Sequence, residues 1–126
     1  MEYDFELWFD ADYVDFGKVE FDEWGMAFCW VDVPDIENYG VEYNYCKQEY
    51  DDGLEDCSAI YIFGHDADEN CPTFYDEYEH YEIDFSNPLW KEKLEQAMYD
   101  FAVRWYAENG KAGFNENLAY RGYKTI

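Results

Sequence analysis

Apolar residues recur at helical spacing in one stretch of the chain, residues 88–109. Asn87 can cap the start of this helix, and Pro88 suits its first position, where a missing N–H costs nothing. Asn109 and Gly110 are suited to a left-handed cap that ends it. The pattern predicts a helix over about 88–109 with one apolar stripe, formed by Trp90, Leu94, Ala97, Met98, Phe101 and Trp105.

The chain before this helix has the period of two that is typical of strands. In residues 3–9, Tyr3, Phe5, Leu7 and Phe9 fall on one face, and Asp4, Glu6 and Trp8 fall on the other. Residues 26–33 form a nearly continuous apolar run, as expected of a central strand covered on both faces. Further strands are predicted at 19–22, 40–46, 58–63 and 73–85, and a last strand is possible at 118–126. A turn is predicted at 23–25. Acidic loops are predicted at 48–56 and 64–72, and residues 10–15 are predicted as a loop or a short strand.

This order of elements predicts an α+β fold in a single domain, residues 1–126. An antiparallel sheet of about five or six strands would carry the helix on one face. The expected parts are an acidic sheet body at 1–86, the helix at 87–110 and a tail at 111–126.

Charge is distributed very unevenly along the chain. The net charge is −23, yet residues 91–126 hold five carboxylates against six basic residues. Residues 1–90 hold 26 carboxylates against Lys18 and Lys47. Aromatic residues make up 23% of the chain, which argues against a disordered acidic segment. A surface of this kind repels nucleic acid and anionic membranes and attracts basic proteins, so the expected partner is a basic protein.

The N-terminal residues are acidic, and no apolar leader segment follows them. No stretch approaches the roughly 18 apolar residues of a membrane span. We therefore expect a cytoplasmic protein in which Cys29, Cys46, Cys57 and Cys71 are free thiols.

Two groups of residues have metal-ligand side chains, but neither pattern favours a metal site. Asp66, Asp68, Asn70 and Glu77 match four positions of a calcium-binding loop, but Cys71 stands where that loop requires glycine. Cys57, His65, Cys71 and His80 are zinc-ligand types without the short ligand spacing of zinc sites. No nucleotide-binding or nucleophile motif is present. The prediction is therefore no metal, no cofactor and no enzymatic activity, with a cation-binding module at 66–77 as an alternative.

Carboxylates on strands and loops offer a substitute for the phosphates of a duplex. Alternate residues on a strand lie about 6.6 Å apart on one face, and a duplex carries one phosphate per about 3.4 Å on each strand. A net charge of −23 corresponds to about 39 Å of duplex, or about 12 base pairs. The predicted partner-binding residues, with two tyrosines as rigid contacts, are Asp10, Asp12, Asp15, Asp22, Glu23, Glu49, Asp51, Asp52, Glu55, Asp56, Asp66, Asp68, Glu69, Tyr75, Asp76, Glu77, Tyr78, Glu79 and Glu82.

In size, charge and order of elements, residues 1–90 and the following helix resemble the DNA-mimic proteins of phages and mobile elements. These include anti-restriction proteins, anti-CRISPR proteins and inhibitors of uracil-DNA glycosylase. The resemblance is one of composition, and it implies a stoichiometric inhibitor of a bacterial DNA- or RNA-binding protein such as a CRISPR effector or a restriction enzyme. The alternative is an interaction or immunity-type protein that neutralises a basic partner through one patch. Either protein could act as a homodimer.

Overall fold

The computed structural model describes residues 2–9, 24–37, 39–50, 53–56, 58–65, 73–123 and 125. In this part of the chain, six strands precede one long helix. They are β1 (Tyr3–Phe9), β2 (Trp24–Val31), β3 (Tyr39–Tyr50), β4 (Gly53–Asp56), β5 (Ala59–His65), β6 (Thr73–His80) and α1 (Trp90–Tyr120).

The main sheet has the order β1-β2-β3-β5-β6, and every pair of neighbours is antiparallel. The short strand β4 pairs only with the far end of β3. The helix packs against one face of this sheet and contacts β2, β3, β5 and β6. The predicted α+β arrangement of an antiparallel sheet followed by a C-terminal helix is confirmed.

The core lies between the sheet and α1. Alternate residues of each inner strand point to the helix, because successive side chains of a strand point to opposite faces. Of the apolar stripe predicted for the helix, Ala97 is partly buried and the other five residues are buried against the sheet. The largest fully buried side chains are Trp105, Tyr39, Tyr43, Phe114, Ile60, Ile62, Leu94, Met98, Leu118 and Val41.

Two tyrosine hydroxyls in this core donate hydrogen bonds to backbone carbonyls, whereas the buried Trp105 Nε1 has no hydrogen-bond partner among the described residues. The Tyr39 hydroxyl donates to the Ala102 carbonyl, and the Tyr43 hydroxyl donates to the Tyr81 carbonyl at 3.2 Å. Cys29 is a buried free thiol, and burial raises its pKa to about 12. This thiol therefore stays protonated and unreactive near neutral pH, which fits a packing role.

The helix differs from its prediction at both ends. It begins at Trp90 rather than Pro88, and Asn87 accepts a hydrogen bond from the Leu89 N–H at 2.9 Å instead of capping the helix directly. Gly110 has the predicted left-handed φ of 59°, but the chain continues as a second helical segment to Tyr120. The expected last strand at 118–126 is therefore wrong, because residues 111–120 form a helix whose Phe114 and Leu118, four positions apart, are buried in the core.

Three predictions for the sheet also need correction. Trp24 and Gly25 do not belong to the turn predicted at 23–25, since both lie in β2, where Gly25 pairs with Phe9 on one side and Tyr45 on the other. The stretch predicted as an acidic loop at 48–56 is largely a hairpin between β3 and β4, in which Tyr50 pairs with Gly53. Backbone pairing needs no apolar side chains, so the composition of this hairpin concealed it. The last strand of the sheet ends at His80, which leaves Glu82 outside it.

Candidate partner-binding surface

Charges in the described part of the chain are separated along the sequence. Residues 90–121 carry five basic and five acidic side chains, so the helix layer is balanced. Before residue 90, every described Asp, Glu, Lys or Arg side chain is a carboxylate. They are Glu2, Asp4, Glu6, Asp32, Asp35, Glu37, Glu42, Glu79, Glu82 and Asp84. The described charged side chains before residue 90 therefore give this part of the molecule an excess of negative charge.

The sheet face opposite the helix places acidic and aromatic residues in cross-strand rows. Strand register aligns Glu6, Phe28, Glu42, Tyr61 and Tyr78 from β1 to β6 in one row. Neighbouring strands lie about 4.8 Å apart, so each carboxylate in this row is flanked by an aromatic side chain. The next row consists of Asp4, Trp30, Gly40 and Phe63, and Phe63 pairs with Tyr75 after a register shift between β5 and β6.

The aromatic rings of this face contact one another. Trp30 meets Phe63 edge to face at a centroid distance of 5.0 Å, and Phe28 lies nearly parallel to Trp30 at 6.3 Å. Tyr61 and Tyr78 form a second pair at 5.9 Å. Glu42 is buried, and one of its oxygens accepts a hydrogen bond from the Asn44 amide at 3.1 Å. The middle of this face, at Glu42 and Phe63, is therefore buried, whereas Asp4, Glu6 and Tyr78 toward its edges are exposed.

The described part of the chain places few of the predicted partner-binding side chains. Those outside it are Asp10, Asp12, Asp15, Asp22, Glu23, Asp51, Asp52, Asp66, Asp68 and Glu69. Those described by their backbone position alone are Glu49, Glu55, Asp56, Tyr75, Asp76 and Glu77, all of which lie in strands. Tyr78, Glu79 and Glu82 are described fully and are exposed.

These three residues differ in their surroundings. Tyr78 lies on the open face and is 73% exposed, which suits a contact with a partner. Glu79 faces the helix side instead, and Arg104 of α1 donates to its carboxylate at 3.2 Å. Glu82 follows the end of β6 and is exposed. Of the two carboxylates, Glu79 is therefore the one that is paired with a basic side chain of the described residues.

Sheet topology also separates the predicted acidic stretches. Phe9, Trp24 and Tyr50, the strand ends next to residues 10–23 and 51–52, lie at one end of the sheet. His65 and Thr73, which flank residues 66–72, pair with each other at the opposite end. The calcium-like loop and most of the suggested zinc ligands lie outside the described residues or are described by backbone alone. Within the described part, no three His, Cys, Asp or Glu side chains converge as metal ligands would.

A cavity that sequence reasoning missed lies at the second of these ends, beside β1 and β2. Its volume is about 270 Å³. The lining residues are Glu2, Tyr3, Asp4, Trp30, Val31, Asp32 and Glu37. Only the pairing register of β1 with β2, which sets Asp4 opposite Trp30, brings these separate stretches together. The alternation of residues 3–9 was a partial signal, since it placed Asp4 on the face away from the core.

Comparisons of this chain with protein-family models, with curated proteins and with solved structures found no match. None of the helical segments in the described ranges has the length and hydrophobicity needed to span a lipid bilayer. Support for a function therefore comes from the charges and contacts of the described residues.

Proposed function

We propose that this protein is an acidic DNA-mimic inhibitor. It would occupy the nucleic-acid-binding surface of a basic DNA- or RNA-binding protein, such as a CRISPR effector or a restriction enzyme, in a bacterial cytoplasm. The observation that supports this proposal is the separation of charge: all the charged side chains described before residue 90 are carboxylates, whereas the charges of residues 90–121 are balanced.

This separation of charge would orient a basic partner toward the sheet side of the molecule as the two proteins approach. The sheet side attracts Lys and Arg at long range, and the neutral helix side does not. Association through this side is expected to be fast and to weaken with salt, since the attraction is screened beyond about 8 Å at physiological ionic strength. The helix would then face away from the partner and act as the support of the sheet.

Aromatic residues of the open face would supply the contacts that slow dissociation. Phe28 and Trp30 are partly exposed and are held in place by contacts with each other and with the buried Phe63, so little side-chain freedom is lost when a partner covers them. Tyr78, with most of its surface exposed, is the aromatic residue best placed to gain burial. Aromatic anchors of this kind commonly dominate the binding energy of an interface.

The test of this function begins with a capture experiment. The tagged protein is mixed with nuclease-treated bacterial lysate, with and without an excess of duplex DNA and structured RNA, and the bound proteins are identified by mass spectrometry. Capture of a nucleic-acid-binding protein that is lost on adding competitor supports mimicry. Capture that competitor leaves unchanged, or no capture, contradicts it.

Matched charge reversals then locate the binding side on the captured protein. One variant, called the sheet variant, carries four reversals within residues 1–86, Glu6→Lys, Glu55→Lys, Asp68→Lys and Glu82→Lys. The control carries four reversals on the helix, Glu92→Lys, Asp100→Lys, Glu108→Lys and Glu116→Lys, with the same change in net charge. We expect the sheet variant to lose about 100-fold or more in affinity and the helix variant much less. Equal losses would mean that net charge alone, rather than the sheet side, drives binding.

The second candidate is an immunity-type protein that neutralises a basic partner through one patch. The observation that favours it is the concentration of a cavity, Trp30 and four carboxylates at one end of the sheet. In that case nucleic acid does not compete, and one or two substitutions at this end account for most of the affinity.

A further inference from the structure

We infer that the cavity beside β1 and β2 is a guanidinium-binding pocket, which receives one arginine side chain of a protein partner. The inference rests on the proposed function for the class of partner, a basic protein. It adds the side chain that is recognised and the place where it binds.

The walls of the cavity are held in place from several sides. The Asp32 N–H donates to the Glu2 carbonyl at 2.8 Å, which fixes the start of β1 to the end of β2. Val33 and Ile36 form a bridge that closes the following turn. The Tyr106 hydroxyl of α1 donates to an Asp35 carboxylate oxygen at 2.6 Å and ties this turn to the helix. This hydrogen bond also raises the pKa of Tyr106, so its hydroxyl remains a donor.

The aromatic walls are equally well supported. Phe63 and Phe28 both contact the Trp30 ring. Tyr3 packs on Tyr99 of α1 with ring centroids 4.4 Å apart. Rings held in this way present a π-face without a further loss of freedom when a cation stacks on them.

The chemistry of the cavity is that of a site for an organic cation. Glu2, Asp4, Asp32 and Glu37 surround it, and no hydrogen bond or ion pair between their carboxylates and another described side chain is present. An engineered cavity of about 150 Å³ accommodates benzene. About 270 Å³ therefore has room for a planar guanidinium and part of its aliphatic stem.

Arginine fits this arrangement better than a metal ion or lysine does. No three carboxylates of the described residues converge on one point, as a divalent ion would require. A guanidinium spreads five N–H donors over a plane, so it pairs with separated carboxylates while its face stacks on Trp30. The compact ammonium of lysine reaches fewer of these groups at once.

The two arginines of this chain, Arg104 and Arg121, and Lys91 of the helix contact residues that do not line the cavity. Arg104 pairs with Glu79 and also lies over the Phe101 ring. Lys91 lies over the Trp90 ring, and Arg121 donates to the side chain and carbonyl of Asn117. The arginine is therefore expected from another molecule, in keeping with the negative field around the cavity.

The direct test is a titration followed by NMR. The probe is N-acetyl-L-arginine methylamide, added to ¹⁵N-labelled protein at constant ionic strength, and the reporter is the Trp30 indole N–H, assigned with a Trp30→Phe variant. The lysine derivative and the uncharged, nearly isosteric citrulline derivative serve as ligand controls. We expect a saturable shift with arginine, binding about threefold or more weaker with lysine, and no saturable shift with citrulline.

Variants separate the pocket from general attraction. Asp4→Asn with Asp32→Asn should weaken arginine binding about tenfold, since two charge-assisted hydrogen bonds are lost. Glu92→Gln with Glu108→Gln removes the same charge from the helix and should change affinity less than about twofold. The inference is overturned by no saturable shift at Trp30, by an equal response to citrulline, or by equal losses in the two double variants.

This titration does not require the partner protein. The guanidinium pocket and the proposed DNA-mimic function can therefore be contradicted independently of each other. Arginine binding without capture of a nucleic-acid-binding protein would overturn the proposed function and leave the pocket. Competitor-sensitive capture without arginine binding would overturn the pocket alone.

Discussion

Gly40 shows how a single residue determines the shape of the open face. It pairs with Trp30 on one neighbouring strand and with Phe63 on the other. Without a side chain at this position, the two rings meet above it at 5.0 Å. A Cβ atom at residue 40 would lie 2.2 Å from the Cys29 carbonyl oxygen, a distance that requires the backbone to shift. Glycine therefore permits a close approach of strands here, and its φ is not in the left-handed region.

The first prediction concerns this position. Gly40→Ala should lower the free energy of unfolding by about 2–4 kcal/mol, because a methyl group is forced against backbone that the sheet holds in place. Urea unfolding followed by circular dichroism measures the change, with an unchanged m-value showing that the same surface is exposed. A loss below about 0.5 kcal/mol would contradict the close approach.

At the scale of the element, α1 consists of two helical segments that meet at a kink at Gly110. Gly110 has φ 59° and ψ −161°, a region that is essentially restricted to glycine. A Cβ atom there would meet no other atom within 4 Å, so only backbone strain opposes a side chain. The break lets Phe114 and Leu118 reach the core after Trp105 has already done so.

The second prediction tests the break. Gly110→Ala should destabilise the protein by about 1–3 kcal/mol through strain alone, since space is not limiting. Lys111→Ala, a change at the neighbouring exposed residue, is the control and should stay within about 0.5 kcal/mol. The measurement is again the unfolding free energy in urea. Equal stability of Gly110→Ala and the parent protein would mean that the helix straightens at no cost, which the burial of Phe114 does not allow.

Most elements were predictable because their signal is local. Alternation identified residues 3–9 as a strand with the same bounds that β1 has, and apolar spacing identified the first part of α1. The hairpin of β3 and β4 was not predictable from an apolar pattern, because its residues are mostly polar and acidic and show no apolar alternation. The helical segment after Gly110 was missed because glycine in a left-handed conformation marks both helix ends and helix breaks.

At the scale of the whole molecule, the dominant feature is the unbalanced charge. A net charge of −23 produces self-repulsion that opposes the compact state. The helix layer relieves little of it, since residues 90–121 are balanced and the described Arg104–Glu79 pair is about half exposed. Such an exposed pair contributes little to stability.

The third prediction follows from this repulsion. Raising NaCl from about 10 mM to about 300 mM shortens the screening length from about 30 Å to below 8 Å and should raise the melting temperature by several degrees. Scanning calorimetry at constant pH measures the shift. The helix variant with four acids changed to lysine has a less negative net charge, so its melting temperature should rise less with salt. A melting temperature that is insensitive to salt, or that falls, would contradict the role of self-repulsion.

The sequence by itself determined the class of fold, most of the apolar stripe of the helix and the excess of negative charge before residue 90, because periodicity and charge are read directly from the order of residues. Tertiary structure decided which charges share a surface. Strand register, which depends on residues far apart in sequence, placed Asp4 beside Trp30 and Glu42 between Phe28 and Tyr61. Packing of α1 on one face left the acidic and aromatic rows on the other, and the pocket exists only because distant segments meet there.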